Sequence, residues 1–304
     1  MKHFINTEDM TRADLDELLA LSEKVAANPE KYAEALKGKV VATIFFEPST
    51  RTRLSFESAI LRTGAGLIST ENANESSSAG KKSETIEDTV RMLSGYADAI
   101  VMRHPANDSA TKAVSVSTVP ILNGGSGSFA HPTQSLLDAF TIKRARGSLD
   151  NVKIAFCGDL KLGRTANSLI KLLSKYDGTQ VWALSTPGME LTPDVVDFMK
   201  KAKIPYTVCK SFEDIPQNVD AIYQTRFQKE RVTDGMVVQD SSLVITPKVM
   251  QRFSAVTLVM HPLPRVDEIC TTFDSDPRAI YFEQAHNGVP TRMAVLLKLL
   301  GGDK

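Results

Sequence analysis

The stretch VVATIFFEPSTRTRLSFESAILRTGAG, residues 40–66, decides the fold. Residues 40–46 form a continuous apolar run of β-branched and aromatic side chains, which predicts a strand buried on both faces. Glu47 and Pro48 interrupt the run. Apolar residues then recur at helical spacing, at Leu54, Phe56, Ile60 and Leu61. A strand that leads directly into a helix is typical of an α/β fold with a parallel sheet.

The start of the predicted helix has the composition of an anion-binding site. Its five positions combine hydroxyl and guanidinium donors: Ser49, Thr50, Arg51, Thr52 and Arg53. Backbone N–H groups and the positive end of the helix dipole attract an anion, and guanidinium groups add charge-assisted hydrogen bonds. The sequence therefore predicts a phosphate site without a Walker-type glycine loop. The alternative is a capped helix whose arginines are merely solvated.

Length and composition restrict the class of protein. A chain of 304 residues predicts two domains, and 42% hydrophobic with 24% charged residues is typical of a globular protein. Acidic and basic residues balance at 36 each, so nothing indicates nucleic acid or a membrane surface as partner. The three cysteines have neither disulfide nor metal-ligand spacing. Without a signal-peptide core, a cytoplasmic location is the default expectation.

Strand-like and helical patterns alternate along the rest of the chain, which predicts further parallel pairing. Other strands are expected at residues 99–102, 119–122, 151–157, 179–185, 221–225 and 255–260. Other helices are expected at residues 11–25, 134–144 and 290–300. The polar segment 71–84 lacks periodicity and is expected to be a loop of the kind that often carries function. The predicted fold class is α/β, with two domains that are each a parallel sheet flanked by helices and are joined by interdomain helices.

Polar motifs follow several of these predicted strands. Arg103 lies in VMRHP, and HPTQ places His131 and Gln134 one helical turn apart, where both can face one ligand. GDLKLGRTANS, residues 158–168, lacks the G-x-G-x-x-G spacing of a dinucleotide site, and Arg164 at a helix start suits a carboxylate or phosphate instead.

Two further motifs are less specific on their own. YQTRFQKER, which contains Arg226 and Gln228, is most simply a solvated charge run. In HPLPRVDE, which contains Pro262 and Leu263, two prolines in four residues predict a rigid turn.

The segment FFEPSTRTRLSFE resembles the carbamoyl-phosphate loop of the transcarbamoylase family, which includes aspartate and ornithine enzymes, and the resemblance continues through the motifs above. It implies transfer of a carbamoyl group from carbamoyl phosphate to the amine of L-aspartate, in pyrimidine biosynthesis, with no cofactor and no metal. It also implies a carbamoyl-phosphate domain at residues 1–132, with a helix at 287–304 packing back on it. Residues 133–286 would form the aspartate domain.

The resemblance assigns roles to individual residues. The phosphate would be held by Ser49, Thr50, Arg51, Thr52 and Arg103, and closed over by Ser78 and Lys82. Catalysis would depend on Arg51, Thr52, Arg103 and His131, the last three stabilising the oxyanion. Gln134 and the backbone carbonyl groups of Pro262 and Leu263 would receive the N–H groups of the reactants.

The aspartate half of the site is assigned in the same way. The α-carboxylate would be bound by Arg164 and the side-chain carboxylate by Arg226 and Gln228, with Lys82 and Leu263 also in contact. Ion pairs of Glu47, Glu230 and Arg231 would stabilise a closed arrangement. The family pattern takes Ser78 and Lys82 from a neighbouring subunit, which implies a homotrimer with shared active sites. The sequence does not decide whether a separate regulatory chain binds.

Three alternatives stay open at this point. An ornithine-type enzyme would carry a cysteine where Leu263 stands and acidic residues at the acceptor site. An NAD-dependent dehydrogenase would explain two α/β domains, but the glycine fingerprint is missing. The third alternative is a non-catalytic relative that serves only as a binding or scaffold subunit. Such a protein would not need the family's residue at every motif position, and the intact motifs of this sequence argue against it.

Overall fold

The computed structural model describes residues 1–73, 84–127, 131–227 and 241–303. The chain forms two compact units. Unit 1 comprises Met1–Phe140 together with Asn287–Lys304, and unit 2 comprises Thr141–His286.

Helices and strands alternate through most of the described residues. The helices are α1 (Arg12–Ala27), α2 (Thr50–Arg62), α3 (Ile86–Leu93), α4 (Ser109–Val116), α5 (Pro132–Arg146), α6 (Arg164–Leu173), α7 (Pro193–Lys201), α8 (Pro247–Met250), α9 (Tyr281–His286) and α10 (Gly288–Leu300). The strands are β1 (Val40–Phe45), β2 (Gly66–Glu71), β3 (Ala99–His104), β4 (Ile121–Ser126), β5 (Lys153–Gly158), β6 (Gln180–Ser185), β7 (Tyr206–Cys209), β8 (Ala221–Gln224) and β9 (Leu258–Met260).

The sheet of unit 1 has the strand order β2-β1-β3-β4, and every pairing is parallel. Phe45 pairs with Arg103, and Arg103 pairs with Gly125. The carboxyl ends of β1, β3 and β4 therefore lie side by side at one edge. Ligands bind at this edge in open α/β sheets.

Helices α1 and α10 pack together in unit 1, and α10 also packs against α2. Thr11 caps α1 in a capping box with Asp14, which satisfies two backbone N–H groups of the helix start. Lys298 forms an ion pair with Glu17 at 2.5 Å. Helix α10 is therefore part of unit 1, although it follows unit 2 in the chain.

The sheet of unit 2 has the order β7-β6-β5-β8-β9 and is also entirely parallel. Central β5 is buried from Ile154 onward because both neighbouring strands and the flanking helices cover it. A core of aromatic and aliphatic side chains lies on one face and includes Phe212, Phe253, Phe273 and Tyr281. The carboxyl ends of β5, β8 and β9 again lie side by side.

The two parallel sheets flanked by helices confirm the predicted fold class. Two edge strands, β2 and β7, were not predicted, because half or more of the residues in each are exposed and they lack an apolar run. Strand β4 begins and ends later than predicted, since the glycine-rich stretch after Leu122 continues the strand. On α2, Phe56 and Ile60 are fully buried, whereas Leu54 and Leu61 are exposed. The domain boundary at residue 132 stays a prediction.

Candidate active site

The start of α2 follows β1 at the ligand-binding edge of unit 1. Ser49 occupies the N-cap position without a capping hydrogen bond from its side chain, and the first turn contains no acidic residue. Thr52 is buried and Arg51 is exposed. The backbone N–H groups of this first turn and the helix dipole make the end attractive to an anion.

Arg53 does not act as the second anion donor that the sequence predicted. Its guanidinium forms ion pairs with Glu57 at 2.8 Å and with Glu71 at 2.5 Å. The hydrogen bond to Glu57 is the main cause that raises the pKa of Arg53. These bonds tie α2 to β2, so Arg53 stabilises the helix start, whereas Arg51 in the same motif is exposed.

Arg103 lies at the end of β3, beside the α2 start. Its Nη2 is 2.7 Å from Glu47 Oε1, and its Nη1 donates to the Gly124 carbonyl oxygen at 3.3 Å. The predicted role for Glu47 was an ion pair that stabilises a closed arrangement. In the structure Glu47 pairs with Arg103 within unit 1, so an incoming anion would compete with this carboxylate for the guanidinium.

His131 and Gln134 lie at the start of α5, which follows β4. The carbonyl oxygen of His131 accepts hydrogen bonds from the N–H groups of Gln134 (3.0 Å) and Ser135 (3.1 Å). Both predicted side chains are buried. Gln134 Nε2 donates to Asp138 Oδ1 at 2.9 Å. Because the Nε2 side of the amide faces a carboxylate, its carbonyl oxygen is the group left to accept from a ligand N–H.

Asp138 interacts electrostatically with a second buried charge, Arg292 on α10. Burial lowers the pKa of Arg292 to about 10, while the negative charge of Asp138 acts to raise it. Arg292 Nη2 donates to Thr133 Oγ1 at 3.3 Å, and its guanidinium carbon lies 5.0 Å from the Phe56 ring centroid. Neither Asp138 nor Arg292 was predicted as part of the site. The sequence signal that could have indicated them is a charged residue on an otherwise apolar face of a helix.

Arg164 is the first residue of α6 and is buried at the carboxyl edge of unit 2. The loop before it is shaped by Asp159, whose Oδ1 accepts from the N–H groups of Lys161 (3.1 Å) and Leu162 (2.8 Å). Gly163 is the N-cap. A guanidinium and a helix N-terminus thus coincide where the sequence predicted a carboxylate site.

Thr225 joins the ends of β5 and β8 just before Arg226. Its hydroxyl lies 2.9 Å from the carbonyl oxygens of both Cys157 and Asp159. Gly158 has φ +103°, and a Cβ there would lie 2.4 Å from the Thr225 carbonyl oxygen. The two strand ends approach so closely that only glycine fits between them.

Pro262 and Leu263 follow β9, the strand next to β8. Leu263 has φ +56°, and its N–H donates to His261 Nδ1 at 2.8 Å. The peptide bond between Leu263 and Pro264 is cis. Arg164, Arg226 and the Pro262–Leu263 turn are therefore brought to one edge of the unit 2 sheet.

Three predicted contact residues lie outside the described residues: Ser78, Lys82 and Gln228. The same holds for Glu230 and Arg231. Across the described ranges, no cluster of three or more His, Cys, Asp or Glu side chains has the arrangement of a metal site. In those ranges no helix is both long and apolar enough to cross a membrane.

Both halves of the chain match models of one protein family. Residues 2–144 match the carbamoyl-P binding domain, and residues 150–299 match the Asp/Orn binding domain, of aspartate/ornithine carbamoyltransferase. The aspartate carbamoyltransferase catalytic subunit of Lachnoclostridium phytofermentans is 42% identical, over 99% of this chain and 98% of its own length.

Solved structures give the same result. The catalytic subunit of M. jannaschii aspartate transcarbamoylase superposes with a TM-score of 0.91 at 41% identity, covering 99% of this chain and 98% of that one. Aspartate transcarbamoylase of Trypanosoma cruzi is 37% identical, covering 97% of this chain and, in the carbamoyl-phosphate complex, 94% of its own. It was solved with carbamoyl phosphate (TM-score 0.90) and with aspartate and phosphate (TM-score 0.87).

Proposed function

The chain belongs to the aspartate/ornithine carbamoyltransferase family, and on this premise we propose that it transfers the carbamoyl group of carbamoyl phosphate to the amine of L-aspartate. The products are N-carbamoyl-L-aspartate and phosphate, and the reaction belongs to pyrimidine biosynthesis. One observation carries the proposal: three neighbouring strands of unit 1 deliver the α2 start, Arg103 and the His131–Gln134 turn to a single sheet edge.

The phosphate group is assigned to this edge of unit 1. Ser49, Thr50 and Thr52 offer hydroxyl and backbone donors at a helix N-terminus, and Arg51 and Arg103 add positive charge. Carbamoyl phosphate binding would displace Glu47 from Arg103, because the phosphate dianion is the stronger partner. Gln134 accepts from the carbamoyl NH₂ group, since Asp138 orients its amide.

The reaction is a nucleophilic addition to the carbamoyl carbon followed by loss of phosphate. The deprotonated aspartate amine forms the new C–N bond, and the carbonyl oxygen acquires negative charge. Thr52, Arg103 and His131 donate hydrogen bonds to that oxygen, an effect commonly worth ~2.7–4 kcal/mol per donor. The C–O bond to phosphate then breaks, and the leaving phosphate takes the amine proton, so no side-chain base is needed.

The acceptor amino acid is assigned to the unit 2 edge. Arg164 binds the α-carboxylate, and Arg226 with Gln228 binds the side-chain carboxylate of aspartate. The carbonyl groups of Pro262 and Leu263 accept from the amine and carbamoyl N–H groups. Leu263 also distinguishes the acceptors, because ornithine enzymes are expected to carry a cysteine at this position.

The assembly is proposed to be a homotrimer, with Ser78 and Lys82 reaching the active site of a neighbouring copy. Leu54 and Leu61 support this, since they lie two turns apart on α2 and are 56% and 61% exposed. A cytoplasmic location belongs to the same proposal. The relatives are named catalytic subunits.

The test is a carbamoyl-transfer assay on purified protein, with L-aspartate and L-ornithine as parallel acceptors. Transfer to aspartate alone is expected. Transfer to ornithine would contradict the assigned roles of Arg164 and Arg226 while preserving the phosphate site. Lack of transfer to either acceptor would refute the proposed activity.

A further inference from the structure

The segment HPLPRVDE, residues 261–268, is closed on itself by its first and last side chains. His261 Nε2 lies 2.7 Å from Glu268 Oε1, and the side chains are 0% and 3% exposed. The other oxygen of Glu268 accepts from the N–H groups of Val266 and Asp267, each at 3.1 Å. A turn of eight residues is therefore fastened by a fully buried imidazole–carboxylate bond.

The hydrogen bonds fix which nitrogen of His261 carries the proton. Nδ1 accepts the Leu263 N–H at 2.8 Å, so it carries none. Nε2 is then the N–H that donates to Glu268. The backbone of the same residue is held as well, because His261 N–H donates to Oε1 of buried Gln284 on α9 at 2.8 Å.

The bond from Leu263 N–H to the imidazole has a consequence for the carbonyl group beside it. The peptide bond between Pro262 and Leu263 is trans, and in a trans peptide N–H and C=O point in opposite directions. Holding the N–H against His261 therefore aims the Pro262 carbonyl oxygen away from the buried imidazole. The same bond keeps Leu263 at φ +56°, a conformation that a leucine seldom adopts unaided.

We infer that His261, oriented by Glu268, is a positioning residue that aims the Pro262 carbonyl group at the reacting amine and carbamoyl N–H groups. This inference rests on the proposed function for its chemical consequence. Glu268 supports it by locking the imidazole tautomer, because a ring with its proton on Nδ1 could not accept from Leu263. The role is distinct from that of the arginines, since neither side chain touches a substrate.

The decisive comparison is between His261→Phe and His261→Asn. Phenylalanine fills the ring volume but accepts no hydrogen bond, whereas asparagine Oδ1 can accept an N–H two residues further on, as in an Asx turn. We expect His261→Phe to lower kcat about 100-fold, the effect of a misplacement of roughly 1 Å, and His261→Asn to stay within about tenfold of wild type. The Kd for inorganic phosphate, measured by calorimetry, should not change, because its ligands lie in unit 1.

Hydrogen exchange of the peptide that contains Leu263 provides a readout independent of activity. Exchange should accelerate in His261→Phe and stay slow in His261→Asn. The matched controls are His286→Phe and His286→Asn, at an exposed histidine of the same unit, and both should behave as wild type. If wild type transfers no carbamoyl group, the proposed function fails, while the exchange data still judge the role of His261.

Equal loss of kcat in both His261 variants would overturn the inference, and so would wild-type kcat or unchanged exchange in His261→Phe. If His261→Phe does not fold by circular dichroism, Glu268→Gln decides. Glutamine has one acceptor oxygen where the carboxylate has two, so it cannot serve both His261 Nε2–H and the N–H groups of Val266 and Asp267. The imidazole tautomer is then no longer locked, and kcat should fall about tenfold with the phosphate Kd unchanged. Wild-type kcat in folded Glu268→Gln would then overturn the inference.

Discussion

Replacing Asp138 by asparagine tests the buried charge pair behind Gln134. The two side chains have the same shape, and the asparagine would retain an acceptor for Gln134 Nε2, so the change removes little except the negative charge. Asp138 is 0% and Arg292 3% exposed, and Arg292 would then lie buried without the carboxylate that opposes its desolvation.

The expected loss follows from this burial. Removing one partner of a buried ion pair in direct contact costs about 3–5 kcal/mol, because the remaining charge is left uncompensated. Asp138 acts on Arg292 through its charge, so we expect a loss of about 1–5 kcal/mol. At about 2–4 °C per kcal/mol for a unit of this size, the melting temperature should fall by roughly 2–20 °C. An exposed pair offers the matched control: Asp108→Asn, which removes the partner of Lys112 (60% and 47% exposed side chains), should change stability by less than about 1 kcal/mol.

Urea unfolding followed by far-ultraviolet circular dichroism measures the effect, and Trp182 fluorescence separates the two units. Trp182 is the single tryptophan and lies on β6 of unit 2, so its transition should move less than the dichroism transition. Adding Arg292→Met to Asp138→Asn should restore part of the lost stability, since the uncompensated cation is gone. A loss below about 1 kcal/mol for Asp138→Asn, or no recovery in the double variant, would refute the reasoning.

Three further changes test other parts of the molecule. Arg51→Ala should lower kcat/KM at least about 100-fold, because a charged phosphate ligand is lost. The control Arg62→Ala, on the same helix, should not change kcat/KM. Steady-state kinetics measure both variants, and a near-wild-type kcat/KM for Arg51→Ala would contradict the phosphate site. Gly158→Ala should lower the free energy of unfolding by about 1–3 kcal/mol, measured by thermal unfolding, because its Cβ would lie 2.4 Å from the Thr225 carbonyl oxygen. The control is Gly147→Ala, at a glycine that also has positive φ but has open space around it, and its loss of stability should be smaller. Equal losses in the two variants would argue against the clash. Burial acts to raise the pKa of Glu268, but hydrogen bonds from His261 and the backbone leave it lowered. The contribution of Glu268 to stability is therefore present above its ordinary pKa of 4.5 and is lost as pH falls through the lower pKa of the folded state. Glu268→Gln should therefore flatten the dependence of the unfolding free energy on pH below 4.5. Identical pH dependences in wild type and variant would count against the pairing of Glu268 with His261.

The sequence predicted the buried strands of each sheet better than the exposed ones. Strand β1 and the run that forms β5 are apolar because neighbouring elements cover both of their faces, so their burial can be predicted from their amino-acid composition. Strands β2 and β7 are edge strands in which half or more of the residues are exposed, unlike the edge strand β4, which is buried throughout. Their residues meet solvent, so no apolar run marks them.

The same contrast holds for the candidate site. Arg51, Arg103 and His131 lie in contiguous motifs directly after strands, and the resemblance to a family could assign them from the sequence. The contacts that orient the site join distant parts of the chain: the charge of Asp138 acts on Arg292 of α10, and Thr225 joins two strand ends. Such contacts exist only once the chain is folded, and Arg53 shows the converse, a motif arginine that the fold commits to Glu57 and Glu71.

The return of α10 to unit 1 sets the order in which the protein can be completed during synthesis. Unit 2 is one continuous segment, so it can fold as soon as it leaves the ribosome. Unit 1 must wait for α10, which brings the cation on which the charge of Asp138 acts and the helix that packs on α1 and α2. The proposed phosphate site of unit 1 is thus translated first and finished last, and a nascent chain that stops before α10 carries the α2 motif on an incomplete unit.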